Sequence, residues 1–122
     1  MTGLGGAALV ACARSDVRVV EGSGSGTVLV ALSDLPVGSA AEMEAGGRRL
    51  LVTRPGEDSV LGFSAECPHQ GCNVRAGTGG ALACPCHAST FDPSTGDRLS
   101  GPADSGLTPV AVAVSGEDVV LS

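Results

Sequence analysis

Two short stretches of the chain, 67–72 and 84–89, contain nearly all of its candidate metal ligands. They read Cys-Pro-His-Gln-Gly-Cys and Cys-Pro-Cys-His-Ala-Ser, and they include both histidines and all but one of the five cysteines. Thiolate and imidazole groups on two separate loops are metal-ligand chemistry. The pattern predicts a metal centre shared between the loops, and it leaves open which metal binds and which cysteines bind it. The candidate ligands are Cys67, His69, Cys72, Cys84, Cys86 and His87.

The composition indicates what kind of fold must position these loops. A chain of 122 residues allows one domain with a modest core, and with no Trp or Tyr and two Phe that core must be built from Val, Leu and Ala. Nineteen Gly and seven Pro favour a loop-rich fold of short strands over a helical bundle. In such a small core, a metal or a disulfide adds most to stability.

Residue patterns predict an all-β fold. Short segments rich in β-branched residues alternate with Gly, Pro and Asp turns, and Gly46-Gly47 is a hairpin signal. This spacing predicts a small antiparallel sandwich or barrel, in which residues of about 66–103 form an inserted subdomain that carries the two cysteine loops. The predicted strands cover residues 27–32, 40–44, 48–54, 59–65, 107–114 and 119–121.

The N-terminal residues 1–12 resemble part of a secretory signal. The apolar run is too short to span a bilayer and ends Leu9-Val10-Ala11-Cys12, which resembles a bacterial lipobox with Cys12 as the lipidated residue. No Arg or Lys precedes the run, so either the true start lies upstream or this is a disordered tail with a stray thiol. Residues 13–26, which end in a Gly-Ser repeat, are predicted to be a flexible linker of about 20 Å, leaving 27–122 as the folded domain.

The charge balance argues against two classes of partner. The net charge is −6 and every basic residue is Arg. A nucleic-acid or anionic-membrane surface needs a basic patch, so neither partner is expected.

The two cysteine loops resemble the Rieske iron–sulfur family. Cys67-x-His69, fourteen residues, then Cys84-x-x-His87 matches its ligand pattern, and the further cysteine in each loop is similar to the disulfide-bearing branch of cytochrome bc1 and b6f Rieske subunits. The segments 91–96 and Gly101-Pro102-Ala103 also resemble that family, the latter its proline loop. The resemblance covers roughly 28–122.

The resemblance implies a [2Fe–2S] cluster with Cys67 and Cys84 on one iron and His69 and His87 on the other. Two ferric ions, two sulfides, two thiolates and two neutral imidazoles sum to zero charge, whereas a four-cysteine cluster carries −2. Reduction is therefore easier, and the class has potentials of roughly −150 to +300 mV. The imidazoles can also couple reduction to proton uptake. The resemblance further implies a Cys72–Cys86 disulfide, which would contribute about 3 kcal/mol and would persist outside the reducing cytosol.

The family pattern also implies roles for residues beside the ligands. Ser89 occupies the position of a hydroxyl that donates to a cluster sulfide and raises the potential. High-potential members have a tyrosine donor where this chain has Phe91, so we expect a lower potential here. Gln70 and Ala88 replace an apolar residue and a glycine that are usual in the family.

These features predict an electron-transfer protein of a respiratory or other oxidoreductase chain, either as the iron–sulfur subunit of a quinol-oxidising bc1-like complex or as a free-standing carrier. No substrate site of its own is evident. The expected partners are redox proteins, either a quinol-oxidising bc1-like complex with a cytochrome c-like acceptor or another respiratory assembly. The expected location is extracytoplasmic, on the outer face of the cytoplasmic membrane. The alternatives are a ferredoxin component of an oxygenase, whose cytosolic modules typically lack the disulfide cysteines, a non-redox zinc module, and a domain with two structural disulfides. Asp92, Asp97 and Asp104 are interpreted as turn formers and not as catalytic acids.

Overall fold

The computed structural model describes residues 17–68, 72–86 and 88–122. Within these ranges the chain forms short β-strands and two single-turn 3₁₀ helices, Leu32–Asp34 and Thr78–Gly80. The strands are β1 Arg18–Val20, β2 Val28–Ala31, β3 Ala40–Ala45, β4 Arg48–Gly56, β5 Ser59–Ser64, β6 Arg75–Ala76, β7 Leu82–Ala83, β8 Thr90–Phe91, β9 Arg98–Ser100, β10 Pro109–Val110, β11 Val112–Ser115 and β12 Asp118–Leu121.

Two sheets form the base of the molecule. The first has the strand order β10-β5-β4-β3-β1, and the second has the order β11-β12-β2. Leu29 and Val119 from the second sheet share one core with Met43 and Val52 from the first. The predicted antiparallel sandwich is therefore confirmed, and the predicted hairpin joins β3 to β4 through Gly46 and Gly47, both at positive φ as a tight two-residue turn requires.

The central strand β4 is buried on both faces. Leu50 and Val52 pack into the core between the two base sheets, whereas Leu51 packs into a second core on the opposite face. Successive side chains of a strand point to opposite faces, so a run of consecutive apolar residues marks a strand covered on both sides. The segment between β5 and β10, which is the predicted insertion, covers the second face of β4.

The insertion folds into a third sheet with the order β9-β8-β7-β6. These strands are two or three residues long, which is too short for an alternation of apolar and polar residues to be visible in the sequence. Their apolar side chains Val74, Leu82 and Phe91 meet Leu51 and Phe63 of the base in the second core. The two cysteine loops are therefore carried by a sheet that packs against the sandwich.

Two sequence predictions need correction. Part of the predicted linker 13–26 is ordered, because β1 pairs in parallel with β3 and extends the first sheet by one strand. The predicted strand 107–114 is interrupted at Ala111: β10 pairs with β5 in the first sheet, whereas β11 pairs with β12 in the second. A strand that passes from one sheet to the other forms a corner of the sandwich, and a continuous run of alternating residues does not reveal that break.

Candidate metal centre

The first cysteine loop leaves β5 and is closed by backbone hydrogen bonds. The Cys67 N–H donates to the Cys72 carbonyl at 2.7 Å, and the Val74 N–H donates to the Ala65 carbonyl at 2.7 Å. Cys67 is 1% exposed and lies in the core of the inserted subdomain. The loop therefore holds one buried sulfur at its base and returns the chain to β6.

The second cysteine loop joins β7 to β8 and is closed in a similar way. The Cys84 N–H donates to the Ser89 carbonyl at 2.8 Å, and the Ala88 N–H donates to the Cys84 carbonyl at 2.9 Å. Ala88 has φ +63°, and it is the one non-glycine residue with positive φ in the described parts of the chain. This left-handed conformation suits glycine, which the family resemblance implies at this position, so alanine is strained here.

A disulfide joins the two loops, and it is the one the sequence predicts. Cys72 and Cys86 are bonded, with their Cα atoms 6.5 Å apart. The sulfur of Cys84 lies within 4.8 Å of both disulfide sulfurs. Because the disulfide sulfurs are bonded to each other, they do not serve as thiolate ligands, and the interpretation with two thiolates uses Cys67 and Cys84, both buried.

The remaining predicted ligands, His69 and His87, lie outside the described residues, as do Gln70 and Gly71. The assignment of the four ligands therefore stays a prediction. The possible lipidation site Cys12 lies outside them too.

Ser89 is fully buried beside the second loop. Its hydroxyl oxygen accepts the Ala103 N–H at 3.0 Å. A serine hydroxyl can donate one hydrogen bond. Among the described residues, the Ser89 hydroxyl accepts a hydrogen bond and donates none. A buried donor is rarely left without an acceptor, so the site suits a group that accepts from it, as a cluster sulfide does.

The predicted proline loop, residues 101–103, packs directly on Ser89. Gly101 has φ +93°, and a Cβ added there would lie 2.7 Å from the Ser89 hydroxyl oxygen and 2.8 Å from its nitrogen. Arg98 donates from Nη1 to the Gly101 carbonyl at 3.0 Å. The loop thus covers Ser89 with backbone and holds its hydroxyl oxygen.

Two further residues of the predicted pattern fall where a structural role is expected. Phe91 is 1% exposed and fills the core of the inserted subdomain. Asp92 caps a turn, since its carboxylate accepts from the hydroxyl at 2.6 Å and the N–H at 2.8 Å of Ser94. These two hydrogen bonds lower the pKa of Asp92 below its ordinary value, and the residue is a turn former as predicted.

A buried carboxylate, which sequence reasoning missed, ties the inserted subdomain to the base. Glu42 on β3 is 6% exposed. It accepts from Arg75 Nε at 2.9 Å and the Ala76 N–H at 2.9 Å, both on β6, and pairs with Arg49 at 3.7 Å. A glutamate in an alternating strand usually faces solvent. Glu42 is buried because the third sheet covers it, and that sheet was not predicted from the sequence.

Comparison with known proteins decides the family. Residues 25–121 of the 122 match the family model described as the Rieske [2Fe-2S] domain. The chain belongs to the Rieske family. A Rieske domain binds a [2Fe–2S] cluster and transfers electrons, so the prediction of this cofactor is confirmed and the zinc alternative is wrong.

Individual relatives agree with the family. The Rieske chain is 40% identical over 70 residues to the cytochrome b6-f complex iron-sulfur subunit of Synechococcus sp. (strain CC9605), a match that covers 55% of this chain and 39% of that subunit. The match therefore spans well under two thirds of the relative.

Solved structures share the fold. The plasma membrane Rieske protein PetC3 from Synechocystis PCC 6803 has a TM-score of 0.68 and 26% identity, covering 79% of this chain and 98% of that one. The ferredoxin of carbazole 1,9a-dioxygenase from Nocardioides aromaticivorans IC177 has a TM-score of 0.65 and 23% identity, covering 81% and 98%. The latter likeness concerns the fold alone.

Proposed function

We propose that this Rieske chain carries single electrons from a quinol-oxidising, bc1-like complex to a cytochrome c-like acceptor or another respiratory oxidoreductase. The observation that carries the proposal is the disulfide between Cys72 and Cys86, which links the two cluster loops. Such a bond persists in oxidising compartments and is rare in the cytosol. The similarity to a cytochrome b6-f iron-sulfur subunit supports the same class of partner.

Within this function the chain's own residues hold and shield the redox centre. The cluster supplies a one-electron acceptor whose imidazole ligands allow proton uptake on reduction. Cys67 and Cys84 are buried, Ser89 is fully buried, and the disulfide fixes the distance between the loops.

The alternative of an oxygenase ferredoxin is less well supported. The ferredoxin of carbazole dioxygenase resembles this chain in fold, at an identity that carries no functional argument. Cytosolic ferredoxin modules of that kind typically lack the two disulfide cysteines, which are present and bonded here.

The proposed location is the outer face of the cytoplasmic membrane, with Cys12 as a lipidated anchor. In the described residues there is no helix with the length and apolarity that a membrane crossing needs. The proposal rests on the lipobox-like sequence 9–12. Mass spectrometry of the N-terminal peptide from membrane-expressed protein tests it. A diacylglyceryl group on Cys12 that disappears in Cys12→Ser supports the anchor, and an unmodified Cys12 in membrane-bound protein contradicts it.

The partner is tested with the oxidised, cluster-loaded chain added to membranes that contain a quinol-oxidising complex. We expect cluster bleaching on addition of quinol, and re-oxidation when a c-type cytochrome is supplied. An otherwise identical sample receives NADH and a soluble flavin reductase instead. Reduction by the flavin system with none by quinol would favour the ferredoxin alternative and contradict the proposal.

A further inference from the structure

The hydroxyl of Ser89 is oriented by the segment 101–103. The hydroxyl oxygen accepts from the Ala103 N–H at 3.0 Å. The backbone carbonyl of Ser89 accepts from the Cys84 N–H at 2.8 Å. With the Ala103 bond in place, one side of the hydroxyl oxygen is occupied and the single proton must point elsewhere. Any movement of the Ala103 peptide therefore changes the direction in which Ser89 donates.

Arg98 restrains that segment from outside. Its Nη1 donates to the Gly101 carbonyl at 3.0 Å, on the same short loop whose N–H holds Ser89. A hydrogen bond from a charged guanidinium is stronger than one between neutral groups. Gly101 itself is at φ +93° and lies against the backbone of Ser89. A shift of the Gly101 peptide therefore changes its contact with the buried serine.

The strand β9 is held to β8 by a separate hydrogen bond, so the restraint by Arg98 concerns only the segment 101–103. Ser100 and Thr90 share a hydroxyl–hydroxyl hydrogen bond of 2.7 Å, which ties β9 to β8 next to Ser89. The strand that carries Arg98 is thereby fixed without Arg98. Removal of the guanidinium is expected to loosen the 101–103 segment and leave the sheet intact.

We propose that Arg98 is a positioning residue for the redox centre, which acts on the reduction potential through the Gly101 carbonyl, the Ala103 N–H and the Ser89 hydroxyl. A hydroxyl directed at cluster sulfur stabilises the reduced state, so Arg98 raises the potential indirectly. The inference depends on the cluster and on donation by Ser89; it does not depend on the proposed quinol partner.

A double-mutant cycle separates this role from a direct effect of the arginine charge. The purified, cluster-loaded chain is titrated with chemical mediators as wild type, Arg98→Met, Ser89→Ala and the double variant. We expect Arg98→Met alone to shift the ratio of reduced to oxidised protein about threefold towards oxidised, which is about 28 mV at 59 mV per tenfold change. In the Ser89→Ala background the same substitution is expected to give no further shift.

Two controls complete the test. Arg98→Lys keeps a cationic donor and is expected to restore most of the potential, while Arg18→Met removes an exposed arginine of the base sheet and controls for net charge. An equal shift in both serine backgrounds would mean a direct charge effect and would overturn the proposal, as would no shift in either. If Arg98→Met loses its cluster, Arg98→Gln, which also removes the cationic donor, measures the same coupling with and without Ser89→Ala. Because the titration contains no quinol and no partner protein, its outcome is independent of the proposed electron donor.

Discussion

Substitution of Gly101 by alanine is predicted to disrupt the proline loop far more than its change of one methyl group suggests. Two costs combine at this position. A φ of +93° is unfavourable for alanine by about 1–2 kcal/mol, and the new Cβ would overlap the backbone and hydroxyl of buried Ser89 at distances as short as 2.7 Å to its oxygen. Ser89 is fully buried and cannot retreat, so the loop must lift and the Ala103 hydrogen bond must break, at about 1–3 kcal/mol more.

The two costs sum to about 2–5 kcal/mol. For a domain of this size that corresponds to a fall in the thermal midpoint of roughly 10–25 °C, accompanied by faster bleaching of the cluster because its cover is displaced. Circular dichroism and visible absorption of the loaded protein measure the two effects.

Gly38 offers a matched control. It has φ +87°, almost the same as Gly101, but a Cβ there would meet nothing within 4 Å. Gly38→Ala should therefore show only the conformational cost of about 1–2 kcal/mol with no faster bleaching. If Gly101→Ala and Gly38→Ala are equally destabilised and bleach at the same rate, the close packing of the proline loop on Ser89 is refuted.

Three other substitutions test separate parts of the structure. Ala88→Gly should stabilise the protein by about 0.5–1 kcal/mol, because it relieves the left-handed strain at φ +63°; a lower thermal midpoint would contradict this. Glu42→Gln should destabilise by about 1–3 kcal/mol, because it removes a charged acceptor shared by two arginines and a backbone N–H, whereas Glu44→Gln on the same strand should have little effect on the urea midpoint. Phe91→Tyr should raise the reduction potential by on the order of tens of millivolts, as one added hydrogen bond of about 1 kcal/mol implies, and a redox titration without a rise would refute the role assigned to the missing hydroxyl.

The long strands of the base could be predicted because each carries enough residues to show its pattern. The pairing of β3 with β4 through Gly46-Gly47 and the apolar run of β4 were both visible in the sequence. The parallel pairing of β1 and the corner at Ala111 were not, because both depend on which sheet a strand joins. That choice is made by packing partners distant in sequence.

At the candidate centre, the sequence predicted the disulfide between Cys72 and Cys86 correctly. It could not show that Ser89 is held by the Ala103 N–H or that Glu42 joins the base to the insertion, since both contacts form between elements more than ten residues apart. The family pattern explains the residue types, and the tertiary contacts explain how they are oriented.

The central claim is that two cysteines and two histidines of this chain hold a [2Fe–2S] cluster. Electron paramagnetic resonance of the dithionite-reduced protein, with metal analysis of the same sample, tests it most directly. The predicted result is a coloured protein with about two irons per chain and a rhombic signal coupled to nitrogen, which His69→Cys and His87→Cys each abolish or convert. A colourless, silent sample that contains one zinc and no iron would contradict the claim.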